Sequence, residues 1–181
     1  MLALLAAALI DLGVGYASSG QDNVPGALAV SAAASRGGEF WSAGLRGILL
    51  LGPEGKEAVG GGASLADLGG FRAWAILAEA QAHSKGVLQL GVRAGAGLGQ
   101  LLRIQQDRFD EYFAWKGPVA PAFTVGLTGR AQITNSLHLG LEVGTLVLTH
   151  VSHDLNMLNL QSPTPSVVAT THVLGTLGWS Y

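Results

Sequence analysis

The stretch Val173-Leu-Gly-Thr-Leu-Gly-Trp-Ser-Tyr181 decides the fold. At every second position back from Tyr181, Trp179, Leu177 and Val173 are apolar, interrupted only by Gly175, while Ser180, Gly178 and Thr176 are small or polar. A period of two places the apolar set on one face of a β-strand. Trp179 and Tyr181 cluster near one end of that strand, and such aromatic rings mark the boundary between lipid and water.

Composition agrees with a strand that faces lipid. The 181 residues make one domain. They are 49% hydrophobic and only 12% charged, with 27 glycines and a mean hydropathy of +0.38. Such a surface needs a cover other than water. No window offers the roughly 18 uninterrupted apolar residues of a spanning helix. A closed barrel is the non-helical structure that satisfies every backbone hydrogen bond inside lipid. The net charge of -2, without a basic stretch, argues against a nucleic-acid partner. The chain has no cysteine, which removes disulfides, thiolate chemistry and cysteine-based metal sites. No pattern calls for a cofactor. At the N-terminus, Met1 to Ala8 reads as the end of a signal-peptide apolar region with Ala6-Ala7-Ala8 as its cleavage site, although no Lys or Arg precedes it. The barrel domain is then residues 9–181; the alternative is that these residues begin the first strand.

Alternation along the chain predicts eight strands: Ile10 to Ser18, Gly26 to Ser35, Phe40 to Gly52, Gly70 to His83, Gly86 to Leu102, Ala120 to Ile133, Ser136 to His150 and Val167 to Tyr181. Their connections alternate in length. Ser19 to Pro25, Pro53 to Gly69, Arg103 to Val119 and Val151 to Ser166 are longer, whereas Arg36 to Glu39, Ser84-Lys85 and Thr134-Asn135 are tight. This pattern, with the aromatic final strand, resembles the OmpA/OmpX-like class of bacterial outer-membrane barrels: all-β, eight antiparallel strands in up-and-down order, spanning the membrane. The resemblance implies tight periplasmic turns, long extracellular loops and an outer-membrane location.

The charges sort to one side. Leu12, Val14 and Tyr16 oppose Asp11; Trp41, Leu45, Leu49 and Leu51 oppose Arg46; Trp74 and Ile76 oppose Glu79 and Gln81. Leu88, Leu90 and Val92 oppose Gln89 and Arg93, Val125 and Leu127 oppose Arg130, and Leu139 and Leu141 oppose His138 and Glu142. Arg72 breaks the rule beside the long second loop, where it can reach headgroups. The polar face is otherwise mostly Gly, Ala, Ser and Thr, which suits the narrow interior of an eight-stranded membrane barrel better than the surface of a water-soluble one. Three acids (Asp11, Glu79, Glu142) then meet three bases (Arg46, Arg93, Arg130) in the lumen. Buried charges persist only when paired, so an ion-pair network is expected there, joined by His138, Gln81, Gln89 and His172. Trp179, Tyr181, Trp41 and Trp74 are the expected interface aromatics.

Within Leu141 to His153, His150-Val151-Ser152 resembles the His-x-Ser segment of PagL-type lipid A 3-O-deacylases, also eight-stranded outer-membrane barrels. The resemblance implies Ser152 as nucleophile and His150 as its base. The family's third member, a glutamate on the following strand, is missing, since no Asp or Glu follows Asp154; Asp154 or Glu142 are the substitutes on offer. Strict alternation also turns both residues into the lumen, away from a membrane-borne ester. His150, His153 and Asp154 form no four-ligand metal set. The leading expectation is a monomeric, non-enzymatic barrel with a plugged lumen, whose loops 53–69, 103–119 and 151–166 meet lipopolysaccharide or an external partner. A lipid A esterase and a small-solute channel are the alternatives.

Overall fold

The computed structural model describes residues 8–19, 26–52, 55–59, 64–68, 71–106, 112–116, 118–149 and 167–180. Residues 1–7, most of the expected leader remnant, lie outside these. Eight strands form the barrel: β1 (Ala8–Ser19), β2 (Ala27–Gly37), β3 (Trp41–Leu51), β6 (Phe71–His83), β7 (Leu88–Gln106), β9 (Ala120–Gln132), β10 (Leu137–Thr149) and β11 (Val167–Ser180). Each pairs antiparallel with its sequence neighbour in the barrel, and β1 pairs with β11 from Leu9↔Ser180 to Ser19↔Thr170, so the sheet closes without an edge. All eight coincide with the alternating segments of the sequence to within a few residues.

Three short strands lie in connections that alternation alone reads as loops. β4 (Gly55–Val59) pairs with β5 (Ser64–Leu68) as a separate hairpin. β8 (Tyr112–Lys116) pairs with the end of β7, which runs on to Gln106 beyond Gly99, its last residue paired with β9. Backbone groups rising past the rim thus pair with each other, as their hydrogen-bonding capacity requires.

The opposite rim is compact. Gly86 adopts φ 114°, a backbone conformation that glycine accepts without a Cβ penalty. The Thr134 hydroxyl accepts from the backbone N–H groups of Ser136 (3.3 Å) and Leu137 (3.1 Å), a side-chain-built turn. Backbone bonds from Gln132 to Val87 and from Ser180 to Ser136, both 2.8 Å, tie the ends of β9 and β11 to the neighbouring turns. Lys85 sits 4.4 Å above the Phe40 ring and pairs with Glu39, joining the first two turns.

The burial pattern is inside out relative to a water-soluble protein. Leu12, Val14, Tyr16, Leu45, Ile76, Leu90, Val92, Val125, Leu127, Leu141, Val173 and Trp179 are exposed on the outer wall, while Asp11, Arg46, Arg93, Arg130 and Glu142 are buried. An outer wall this apolar is stable only against hydrocarbon. Gly97 faces the lumen where β6 approaches so closely that a Cβ would collide with the Ile76 carbonyl; a Cβ on outward-facing Gly47 would meet nothing nearer than 4.0 Å. We expect Gly97→Ala to lower unfolding stability by roughly 1–3 kcal/mol, as overpacking does, and Gly47→Ala to leave it unchanged. Urea titration of the folded form, followed by its heat-modifiable gel migration, measures both.

Candidate functional site

The lumen is built in two layers. In the layer nearer the tight turns, every barrel strand contributes a polar side chain at an inward position. β3 delivers Arg46, whose Nε donates to Glu79 Oε2 at 3.0 Å and whose Nη1 donates to Glu142 Oε2 at 2.9 Å and Oε1 at 3.2 Å. The same Nη1 reaches Ser31 Oγ of β2 at 3.4 Å. Arg93 of β7 donates to Glu79 Oε2 at 3.3 Å and pairs with Glu142 through Nη2. His172 of β11 places Nε2 at 3.1 Å from Glu142 Oε1. Glu142 is therefore the hub, held by two guanidinium groups and an imidazole. Arg130 of β9 forms a separate pair with Asp11 of β1 at 2.5 Å.

These groups are almost fully enclosed: Arg46 and Glu142 are each 2% exposed and His172 is 1% exposed. Three guanidinium groups against three carboxylates leave the cluster neutral when His172 is neutral, the condition under which buried ions are tolerated. Gln81 donates to Thr128 Oγ1 at 2.8 Å. His138 lies lower, with Nε2 3.4 Å from Ser180 Oγ, and Gln89 stands opposite Arg130 in register. Asp11 Oδ1, Glu79 Oε1 and His172 Nδ1 have no partner among the described residues. Asp11 and Glu79 border a polar cavity of about 20 Å³ that Ser35, Ser42 and Gln81 also line, enough for a water able to donate to a free carboxylate oxygen.

The second layer, toward the long connections, is aliphatic. Ala17, Ala29, Ile48, Leu50, Ala75, Leu77, Leu101, Ala122, Leu146, Leu148 and Val168 form one buried cluster there, to which all eight barrel strands contribute, and Leu174 extends it past His172 to stand opposite Glu142 in register. Leu50, Leu77, Leu146, Val168 and Leu174 are 0% exposed. Alternation alone implies small and polar residues on this face and gives no sign of the layer. Its signal is the continuous runs Ile48-Leu-Leu-Leu51 and Leu146-Val-Leu148, which mark strands buried on both faces.

Of the six ionisable residues singled out from the sequence, Arg46, Glu79, Arg93 and Glu142 meet in one cluster, with Asp11 and Arg130 paired beside it. Trp41 and Trp179 are outward and exposed near the tight turns, and half-buried Trp74 faces outward at the other end. Tyr181, His150, Ser152, His153 and Asp154 lie outside the described residues. Glu142, considered as an orienter for His150, has its oxygens engaged by Arg46, Arg93 and His172. It also sits seven residues before Thr149 on β10, roughly 23 Å along the strand.

No family model matches the chain, and no curated protein matches its sequence. Solved structures share its fold. Neisserial surface protein A superposes with a TM-score of 0.60 at 11% identity, over 97% of this chain and 96% of that one. The attachment invasion locus protein Ail of Yersinia pestis, in complex with the heparin analogue sucrose octasulfate, gives 0.54 at 14% identity over 97% of both chains. The N-terminal β-barrel domain of Pseudomonas aeruginosa OprF gives 0.53 at 8% identity, over 97% and 98%. The fold is that of the small eight-stranded outer-membrane β-barrel. The location that goes with it is the bacterial outer membrane.

The Asp11–Arg130 pair offers a clean energetic test. Arg130→Met strands a buried carboxylate and should cost about 3–5 kcal/mol, whereas Asp11→Asn with Arg130→Met should recover most of that loss. A double-mutant cycle of urea unfolding in detergent micelles reads the coupling directly.

Proposed function

We propose that the protein is a monomeric, non-enzymatic outer-membrane barrel whose lumen is closed and whose work is done by its loops at the cell surface. One observation carries the closed lumen: the aliphatic layer in which Leu50, Leu77, Leu146 and Val168 have no exposure. A hydrated solute crossing that layer must shed its water against hydrocarbon. Beneath it, a cross-linked ionic layer opposes breathing of the wall, because parting any two strands separates charges in a low-dielectric interior. A barrel of eight strands has room for its own side chains and little else.

The surface role is supported by the two rims. One is reduced to tight turns stitched to each other, whereas the other carries long connections that build strands of their own, β4 with β5 and β8 on β7. Recognition is commonly placed on loops presented by a rigid scaffold. A sulfated glycan analogue bound to Ail, a barrel of the same fold, offers a model for a polyanionic surface partner.

Purified protein in planar bilayers should show no steady ion conductance, while Leu77→Asn with Leu146→Asn, which wets the aliphatic layer, should raise it above background. A stable unitary conductance from the unaltered protein would refute the closed lumen. For the loops, cells displaying the barrel should bind immobilised lipopolysaccharide or sulfated glycan. Replacing residues 53–69, 103–119 and 151–166 with short Gly-Ser turns should abolish that binding without altering heat-modifiable migration.

A further inference from the structure

We propose that Arg72 seats the phosphate of an outer-leaflet lipid headgroup against the outer wall, an inference that rests on the outer-membrane reading above. Among the described residues, the outward faces of the eight barrel strands carry two charged side chains in the strands themselves, and they stand at opposite ends. Arg36 is next to the tight turns, and Arg72 is near the long connections. Arg72 is exposed, its register partners Leu51 and Leu102 are both apolar, and no carboxylate among the described residues pairs with it. A guanidinium so placed lacks a counter-ion among the described residues, at the level where a phosphorylated lipid would supply one.

The surroundings select a lipid rather than a free ion. Two residues along the same face, Trp74 donates its Nε1–H to Gln100 Oε1 at 3.1 Å, and Gln100 is only 6% exposed although its position points outward. The indole is therefore pinned across β6 and β7, with its polar edge satisfied, directly on the membrane side of Arg72. Below it the wall continues with Leu49, Ile76 and Leu98, all exposed. Acyl chains cover such a surface, whereas an inorganic anion leaves it bare. Lys116 is the register partner of Leu102, so a second basic residue occupies the row that holds Leu51, Arg72 and Leu102. A guanidinium fork matches two phosphate oxygens at once and holds them more firmly as water is excluded. The ligand class is a phosphorylated, multiply acylated lipid, for which lipid A is the probe.

Native mass spectrometry of the detergent-folded protein with bisphosphorylated lipid A provides the test, alongside Arg72→Gln, Arg72→Lys and Arg36→Gln, each checked for heat-modifiable migration. The unaltered protein should retain one lipid A. Arg72→Gln should weaken retention about tenfold, the size of one lost charge-assisted contact. Arg72→Lys should fall between the two, and Arg36→Gln should match the unaltered protein. Equal retention by Arg72→Gln, or equal loss in Arg36→Gln, overturns the site. Displacement by millimolar inorganic phosphate overturns the lipid assignment in favour of an ion site. Absence of lipid A on the unaltered protein overturns the inference while migration stays heat-modifiable. Absence of that gel shift would instead strike the outer-membrane reading itself.

Discussion

In hydrocarbon there is no water to accept or donate a backbone hydrogen bond, and each unsatisfied group costs several kcal/mol. The pairing of β1 with β11 answers that constraint. Without it, both strands would present a full edge of bare N–H and C=O groups to lipid. Once the sheet is closed, half of every strand must face a narrow interior, and the remaining features of the molecule are consequences of what can be packed there.

The interior resolves into two kinds of matter for a physical reason. Arg46 and Arg93 are long, and their stems let charges from opposite walls meet at Glu142, while the small residues around them leave the room to do so. That solution needs every charge matched, and it leaves Asp11 Oδ1, Glu79 Oε1 and His172 Nδ1 without protein partners. The aliphatic layer needs no such matching. It is apolar and buried, whereas the ionic layer beneath it borders the small polar cavity beside Asp11 and Glu79.

Much of this architecture was legible in the sequence because membrane barrels enforce a period of two, and period two survives without an alignment. Leu12, Val14 and Tyr16 against Asp11 already state which way β1 faces. The inward position of Arg46, Glu79 and Glu142 follows from the same parity. What parity cannot say is height. That Glu142 meets Arg46, 96 residues away, depends on strand stagger around the closed sheet, which leaves no trace in local pattern. The aliphatic layer was hidden because Leu50 and Leu148 sit in runs where both faces are apolar, so alternation disappears where it would have been informative. β4 and β5 escape alternation because short glycine-flanked segments carrying charges have weak strand preferences, whereas the aromatic run Tyr112-Phe-Ala-Trp-Lys116 favours a strand but is too short, beside the charged Asp107 to Glu111, to stand out from a loop. Gln100 is outward yet polar, and its hydrogen bond from Trp74 accounts for a polar group at that position.

The seam between β1 and β11 also has a bearing on how the molecule comes into being. Its first strand completes one side of its hydrogen bonding only when the barrel's final strand arrives, so contacts spanning nearly the whole chain must form before any strand is safe in lipid. Partial chains have no self-sufficient intermediate, as a helical membrane protein has in each helix. Assembly must therefore wait for the whole polypeptide. Until then the chain has to be kept apart from others of its kind, because an open sheet invites pairing with any neighbouring edge.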